Sequence, residues 1–317
     1  MKICIAALLA LVPMFGHCED GYPSRPIRIV VPFTPGGATD TLTRFLGARM
    51  SKALGHPIIV DNKPGAGGSL GTLEVAKANA NGYTLLMATS STHGINPWLY
   101  TKLPYDPLKD FAPISMVAKT EYAIAVPANS AAKNIQDLVR LVSKRPVNYA
   151  SSGNGTTSHL AAALLAKISG SDFTHIPYKS SGPALNDLLG GQVDFMFDNT
   201  SVMLPHTRSG KLRMLATTGK ARAPVTPEVP TMIESGVPDY EMIGWFCILA
   251  PALTPQAIIE RLNSEIAKTF SAPDAIEQQR AVGNEPFTAS PGDSRAFIVG
   301  QLAKFKLIVE AAGAKLD

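Results

Sequence analysis

Two short polar stretches carry the residues best suited to chemistry, and the chemistry they suit is the holding of an anion. The first, Pro32-Phe33-Thr34-Pro35-Gly36-Gly37-Ala38-Thr39-Asp40, joins the apolar run Ile27 to Val31 to an amphipathic pattern from Thr41 to Met50. The second, Ser151-Ser152-Gly153-Asn154-Gly155-Thr156-Thr157-Ser158-His159, joins Val147 to Ala150 to a helical pattern running through Leu160 and Leu164 to Ile168. A glycine loop that opens a helix leaves backbone N–H groups free where the helix dipole favours negative charge. Two such loops could hold one anion between two lobes. Taken singly, each is explained almost as well by turn glycines that pack a helix against a strand. Asp40 has two readings as well: an acid that satisfies the first N–H groups of its own helix, or a reader of a ligand hydroxyl or ammonium.

Other polar residues fall at the carboxyl ends of apparent strands. Ser90-Ser91-Thr92-His93 follows Thr84 to Ala88, and Tyr178-Lys179 and Asp198-Asn199 hold equivalent places further on. Each alone suits loop capping equally well; together they describe a polar, weakly charged cleft without catalytic geometry.

Several reactive chemistries fail on spacing. A third glycine loop, Pro64-Gly65-Ala66-Gly67-Gly68-Ser69-Leu70-Gly71, has Leu70 where a dinucleotide fingerprint needs glycine, and it lacks the Gly-Lys-Ser/Thr ending of a phosphate loop. Ser130-Ala131-Ala132-Lys133 has no Ser-Asp-Asn or Lys-Thr-Gly partner. His56, His93, His159, His175 and His206 show no metal spacing. No nucleophile with base and orienter can be read. The expectation is a protein that is not an enzyme and that uses no metal or cofactor.

The elements that must position these residues alternate along the chain. Ile27 to Val31, Ile58 to Val60 and Thr84 to Ala88 form a βαβαβ unit, with Leu42, Phe45, Leu46 and Met50 on one face of its first helix. Tyr122 to Val126 leads to a second set of strands at Val147–Ala150, Phe173–Pro177, Val193–Phe197 and Leu212–Thr217, with a helix from Pro183 to Leu189. Trp245 to Ala250 is an apolar strand, and helices starting at Thr254-Pro255 and at Ser294 return to cover the first lobe. This is an α/β pattern with parallel sheets. Residues 22–122 with 245–317 make one lobe and 123–244 the other, joined by a hinge with a ligand cleft at the strands' carboxyl ends.

Composition agrees with a globular chain: 317 residues, 45% hydrophobic and 17% charged. The net charge of +4 comes without a Lys/Arg run, which excludes nucleic acid as the expected partner and suits small anions. Met1-Lys2-Ile3-Cys4 followed by an apolar run to Phe15 reads as a secretory signal peptide over residues 1–18, removed on export to the periplasm. His17 before Cys18 argues against a lipoprotein site. Only Cys247 would then persist, so no internal disulfide is expected.

An ordered series of motifs resembles one family. Tyr22-Pro23-x-Arg25-Pro26-Ile27, Val31-Pro32-Phe33-x-Pro35-Gly36-Gly37-x-x-Asp40, Asp61-Asn62-Lys63-Pro64-Gly65-Ala66-Gly67-Gly68 and Ser152-Gly153-Asn154-Gly155-Thr156-x-x-His159-Leu160 occur in that order. Pro177-Tyr178-Lys179, Asp187 through Asp194 and Pro227-Glu228-Val229-Pro230-Thr231 follow. Over nearly the whole chain this resembles the Bug or TctC extracytoplasmic solute receptors, the binding components of tripartite tricarboxylate transporters.

The resemblance implies a type II periplasmic-binding-protein fold, two α/β lobes closing on a small organic carboxylate, and delivery of that carboxylate by a monomer to membrane transporter subunits. It carries ligand binding to Phe33, Gly36, Gly37, Ala38, Thr39 and Asp40, to Gly153, Gly155, Thr156 and His159, and to Asp198. Ser90, Ser91, His93, Ser152, Asn154 and Tyr178 join them by position. One departure is Ser180-Ser181-Gly182 after Lys179, where the family usually has glycine at once. A carboxylate sensor for a membrane signalling partner is the alternative function, and a periplasmic hydrolase a more distant one.

Overall fold

A computed structural model describes residues 21–315, so the expected signal segment lies outside the described residues. The chain opens with β1 (Ile27–Val31), α1 (Ala38–Leu54), β2 (Ile58–Asn62), α2 (Ser69–Ala76) and β3 (Thr84–Thr89). β1 lies parallel to both β2 and β3. Its side chains alternate between two buried faces, Ile27, Ile29 and Val31 against α1 and Val30 toward the opposite core. That is why four of its five residues are apolar; the exception, Arg28, is half-buried and pairs with Asp61 and Glu74. α1 starts three residues before the sequence pattern suggested, because Gly37 takes extended backbone (φ −82°, ψ 172°) and turns the chain straight into the helix.

A π-helical turn (Ser91–Ile95) and the short α3 (Asn96–Leu99) lead to β4 (Phe111–Pro127), a 17-residue strand. α4 (Ile135–Leu141), β5 (Val147–Ser151), α5 (Thr157–Ser169), β6 (Phe173–Pro177), α6 (Ser181–Leu189), β7 (Phe195–Asn199), α7 (Thr200–Arg208) and β8 (Leu212–Thr217) follow. The chain then returns through β9 (Ile243–Pro251), α8 (Gln256–Ser271), α9 (Pro273–Ala281), β10 (Asn284–Pro286) and α10 (Pro291–Ala312). No helix among the described residues is long and apolar enough to cross a membrane.

The strand order is β2-β1-β3-β9-β4-β7-β5-β6, with β8 and β10 also paired to β4. β4 is the shared element. Its Phe111–Glu121 segment pairs with β9, and from Tyr122 onward it pairs with β7 and β8. Its partner changes between Glu121 and Tyr122. The sheet is mixed rather than parallel, since β9 runs antiparallel to both β3 and β4. The pattern of apolar residues marks where strands lie but carries no information on their direction, which the long returning connection fixes here.

α8 packs on α1 as expected, with Ile259, Leu262, Ile266 and Phe270 joining Leu42, Leu46 and Met50 in one core. α10 does more than cover the first half. Ile298, Leu302, Phe305 and Val309 share a core with Leu160 and Leu164 of α5, so this helix leans on both halves of the molecule. β7 sits two residues later than its apolar run because Asp194 belongs to the turn before it, where its carboxylate accepts from Asn148 N at 2.7 Å and pairs with Arg145.

Candidate functional site

A cavity of about 30 Å³ lies between the two halves, room for roughly two water-sized groups. Phe33, Thr34 and the first turn of α1 (Gly37, Ala38, Thr39) form one wall, and Thr89, Ser90 and Ser91 after β3 form a second. Ser152 after β5, Ser180 and Ser181 at the start of α6, and Asn199 at the end of β7 face them. β4 and β9 close the floor with Tyr122 and Gly244–Phe246. Among the described residues, none that lines the cavity is charged.

The electrostatics therefore come from backbone and hydroxyl groups. The N-termini of α1 and α6 both open onto the cavity, and each leaves early N–H groups without intrahelical partners. Gly37 and Ser181 stand opposite one another across it: a methyl group at Gly37 would lie 3.8 Å from Ser181 Cβ. The hydroxyls of Thr34 and Ser180 are hydrogen-bonded across the cleft. An arrangement of aimed N–H and O–H donors without a fixed charge suits a small oxyanion and holds it with little reorganisation.

Asp40 is turned away from this cavity. Its Oδ2 accepts from Gly36 N and Arg44 Nε at 3.0 Å each, and Oδ1 accepts from Asn62 Nδ2 at 3.0 Å. Burial alone would raise its pKa, but Arg44, the Gly36 N–H and Asn62 outweigh it and hold the carboxyl below its ordinary value. Asn62 also donates to the Phe33 carbonyl. Asp40 thus pins the loop at both ends and sets the aim of α1; of its two readings, the structure supplies the partners for the internal one.

The second glycine loop is placed differently from the first. Only its Ser152 lines the cavity. Two first-turn N–H groups of α5 are taken up within the protein: Thr156 Oγ1 accepts from His159 N, and Thr157 N donates to Ser91 Oγ across the cleft at 3.1 Å. Gly153 N donates to Ser151 Oγ, and Gly155 N points to His159 Nδ1 at 3.5 Å. The half-site facing α1 is built instead by α6, through the Ser180-Ser181 pair that marked a departure from the family pattern. Gly153, Asn154 and Tyr178 line a neighbouring vestibule of about 280 Å³, which shares Phe33 and Ser152 with the cavity. The third glycine loop, Gly65–Gly68, forms the opposite side of that vestibule.

Three predicted site residues sit behind the walls. His93 is wholly buried against Tyr105 and Phe111, and burial lowers its pKa to about 3, so the ring is neutral. His159 stacks on His175 with centroids 4.3 Å apart, and burial lowers its pKa to about 4. Asp198 is buried beside Asn199, whose N and Nδ2 donate to its Oδ1 at 2.7 and 3.0 Å, and burial raises its pKa. Gly36 and Thr156 shape their loops without lining the cavity. Ser151 Oγ and His175 Nε2 approach to 2.6 Å, but Ser151 is fully buried and no carboxylate bonds His175 among the described residues.

The sequence pattern did not single out Thr34, Thr89, Tyr122, Ser180, Ser181 or the Gly244–Phe246 segment as site residues. Of the Asp198-Asn199 pair at a strand's carboxyl end, Asn199 lines the cavity and Asp198 does not. Tyr122 and Gly244 gave no signal, because residues of β4 and β9 become cavity floor only through the strand pairing of the folded chain.

A family model described as the tripartite tricarboxylate transporter family receptor matches residues 42–314. Protein BugT of Bordetella pertussis is 38% identical over 300 residues, covering 94% of this chain and 92% of its own. A UPF0065 protein from the tcbD-tcbE intergenic region of a Pseudomonas species is 37% identical over 295 residues, 92% of this chain and 88% of its own. Among solved structures, R. palustris Rpa4515 with adipate superposes with a TM-score of 0.90 at 34% identity, covering 93% of this chain and 100% of that one. MatC from Rhodopseudomonas palustris with bound malate gives 0.87 at 31% identity, over 91% and 100% of the two chains. Periplasmic binding protein BugD gives 0.89 at 34% identity, over 93% and 99%. The mixed α/β fold is that of these periplasmic solute-binding proteins.

Proposed function

The chain belongs to the tripartite tricarboxylate transporter receptor family, and from that premise we propose that it is an exported receptor that captures a small organic carboxylate and delivers it to a membrane transporter. Residues 22–122 with 245–317 act as one lobe and 123–244 as the other, hinged where β4 and β9 pass between them. The carboxylate head group sits in the cavity between the N-termini of α1 and α6, and the body of the ligand extends into the vestibule beyond Phe33 and Ser152.

One observation carries this reading: a cavity between the two halves lined by helix starts and hydroxyls, with no charged side chain. Such a site favours an oxyanion over a cation or a neutral apolar group. The malate and adipate bound by the two R. palustris relatives are carboxylates of a size that head group and vestibule together would take. Binding alone is the proposed activity, because burial lowers the pKa of His93, His159 and His175 and, among the described residues, no nucleophile stands with a base and an orienting acid.

A thermal-shift screen of the purified protein against adipate, malate, other mono- and dicarboxylates, amino acids and amines tests it. A carboxylate should raise the melting temperature in a concentration-dependent way, since ligand binding to the folded state stabilises by mass action. A response to amines alone, or to none of the acids, would sink the reading.

A further inference from the structure

The loop Gly65–Gly68, unsuited to a nucleotide phosphate, meets the second glycine loop directly. A methyl group on Gly67 would lie 2.5 Å from the Asn154 carbonyl oxygen, so the two backbones are in contact. Tyr100 Oη donates to that same carbonyl at 3.5 Å. Beneath both loops lies Asn96, which is wholly buried. Its Nδ2 donates to Gly67 O at 3.1 Å and to Ser69 Oγ at 3.2 Å. Its Oδ1 is buried without a partner and faces the second loop: a methyl group on Gly155 would lie 2.7 Å from it.

Gly67 and Gly155 belong to different halves of the molecule, 88 positions apart in sequence. Both have left-handed backbone (φ +60° and +79°) and both sit where any side chain would hold the loops apart. Neither they nor Asn96 line the 30 Å³ cavity, whereas Gly67, Tyr100 and Asn154 wall the vestibule over it. The contact is thus separate from the head-group site and exists only while the halves are together.

We propose that Asn96, Gly67 and Tyr100 of the first half, with Asn154 and Gly155 of the second, form a latch that holds the vestibule closed and sets the rate of ligand release. The inference rests on the cleft being the ligand site. Asn96 is a positioning residue: it fixes Gly67 from below and offers Gly155 a surface that only glycine fits. A contact made only in the closed state shifts the open–closed equilibrium by its own free energy and appears in the release rate, not in the encounter rate.

The test uses the full chain with spin labels at Lys77→Cys and Asn186→Cys, one exposed position in each half, with Cys4 and Cys18 replaced by serine where retained; Cys247 is fully buried. Distances between labels are measured without ligand and with 10 mM adipate or malate. Asn96→Ala, Gly67→Ala and the milder Tyr100→Phe should each drain the short-distance population. Stopped-flow release of whichever acid binds should become several-fold faster in Asn96→Ala, because Gly67 loses the support that holds it against the Asn154 carbonyl, with association unchanged. An unchanged distance distribution in all three variants, or equal slowing of association and release, overturns the latch. If neither acid shifts the wild-type melting temperature, the carboxylate reading fails for these ligands, and the latch then stands or falls on the ligand-free distances: a short population drained by the variants supports it, and its absence overturns it.

Discussion

The backbone N–H of Thr157, first residue of α5, donates at 3.1 Å to Ser91 Oγ from the other side of the cleft. Two consequences follow for function. The first N–H of α5, which would otherwise suit an anion, is taken by a serine, whereas the starts of α1 and α6 face the cavity proposed for the ligand. The same bond ties the two halves together at the edge of the cavity, with Ser90 Oγ adding a 3.0 Å contact to Thr157 Oγ1.

Ser91→Ala removes that acceptor and strands a buried N–H. Ligand affinity should fall about five- to tenfold, corresponding to roughly 1 kcal/mol for a lost hydrogen bond. Isothermal calorimetry with the acid selected by the thermal-shift screen measures it; an unchanged dissociation constant would show that the Thr157–Ser91 bond contributes nothing to closure.

Gly37 separates contact from bulk. A single methyl there meets Ser181 at ordinary van der Waals distance, so Gly37→Ala should bind nearly as wild type. Gly37→Val adds two more carbons to a 30 Å³ space and should lower affinity more than tenfold, whereas Lys179→Ala, at the vestibule rim, should change it less than about threefold. A valine variant of undiminished affinity would place the ligand elsewhere.

Asp40→Ala frees Gly36 N, Asn62 and Arg44 at once and should slacken the first loop, lowering affinity by about tenfold or more, since removing one partner of a buried charge network is costly. Asp40→Asn keeps an acceptor for the Gly36 N–H and should recover part of the loss. Equal affinities for the two variants would argue against a positioning role.

Stability should fall on acidification through the buried histidines. Burial lowers His93 from the ordinary 6.5 to about 3. The unfolded ring titrates near its ordinary value, so between these limits the unfolded chain binds a proton that the folded chain does not. The contribution is complete above about pH 6.5 and shrinks as pH falls toward 3, by at most about 1.4 kcal/mol per pH unit. His159 and His175, lowered to about 4 and about 3 chiefly by burial, act in the same direction. Urea unfolding from pH 7 to pH 4 should show His93→Phe losing less stability than wild type; parallel curves would mean that His93 charges without cost.

Core truncation calibrates the fold. Leu46 of α1 is fully buried in the core shared with β1 and α8, so Leu46→Ala should cost about 2–5 kcal/mol. Urea denaturation measures it, and a loss under 1 kcal/mol would contradict the packing of α8 on α1.

Several elements were legible along the chain. β1, β6 and β8 coincide with the runs Ile27–Val31, Phe173–Pro177 and Leu212–Thr217 read along the chain, most plainly β1, whose Ile27, Ile29, Val30 and Val31 are all fully buried. The first half of β4 was not legible: Pro113, Ser115 and Lys119 interrupt the pattern, and β9 and β10, returning from more than a hundred residues away, supply the partners that make a strand of it. α10 gave its helical stripe plainly but not its two-sided contact with both halves.

The sequence by itself determined that a glycine loop opens α1 after β1, that no metal or nucleophile spacing exists, and that the order of motifs is that of a carboxylate receptor family. These follow from local rules: turn glycines, hydrophobic period and residue spacing act over a few positions. Which helix start completes the site was decided only by the tertiary structure. α5 and α6 both begin after a strand with small polar residues, and nothing local distinguishes them. Docking Ser91 against Thr157 fills the first and leaves Ser180 and Ser181 facing Gly37, because the choice depends on which groups the two halves bring within hydrogen-bonding distance when they meet.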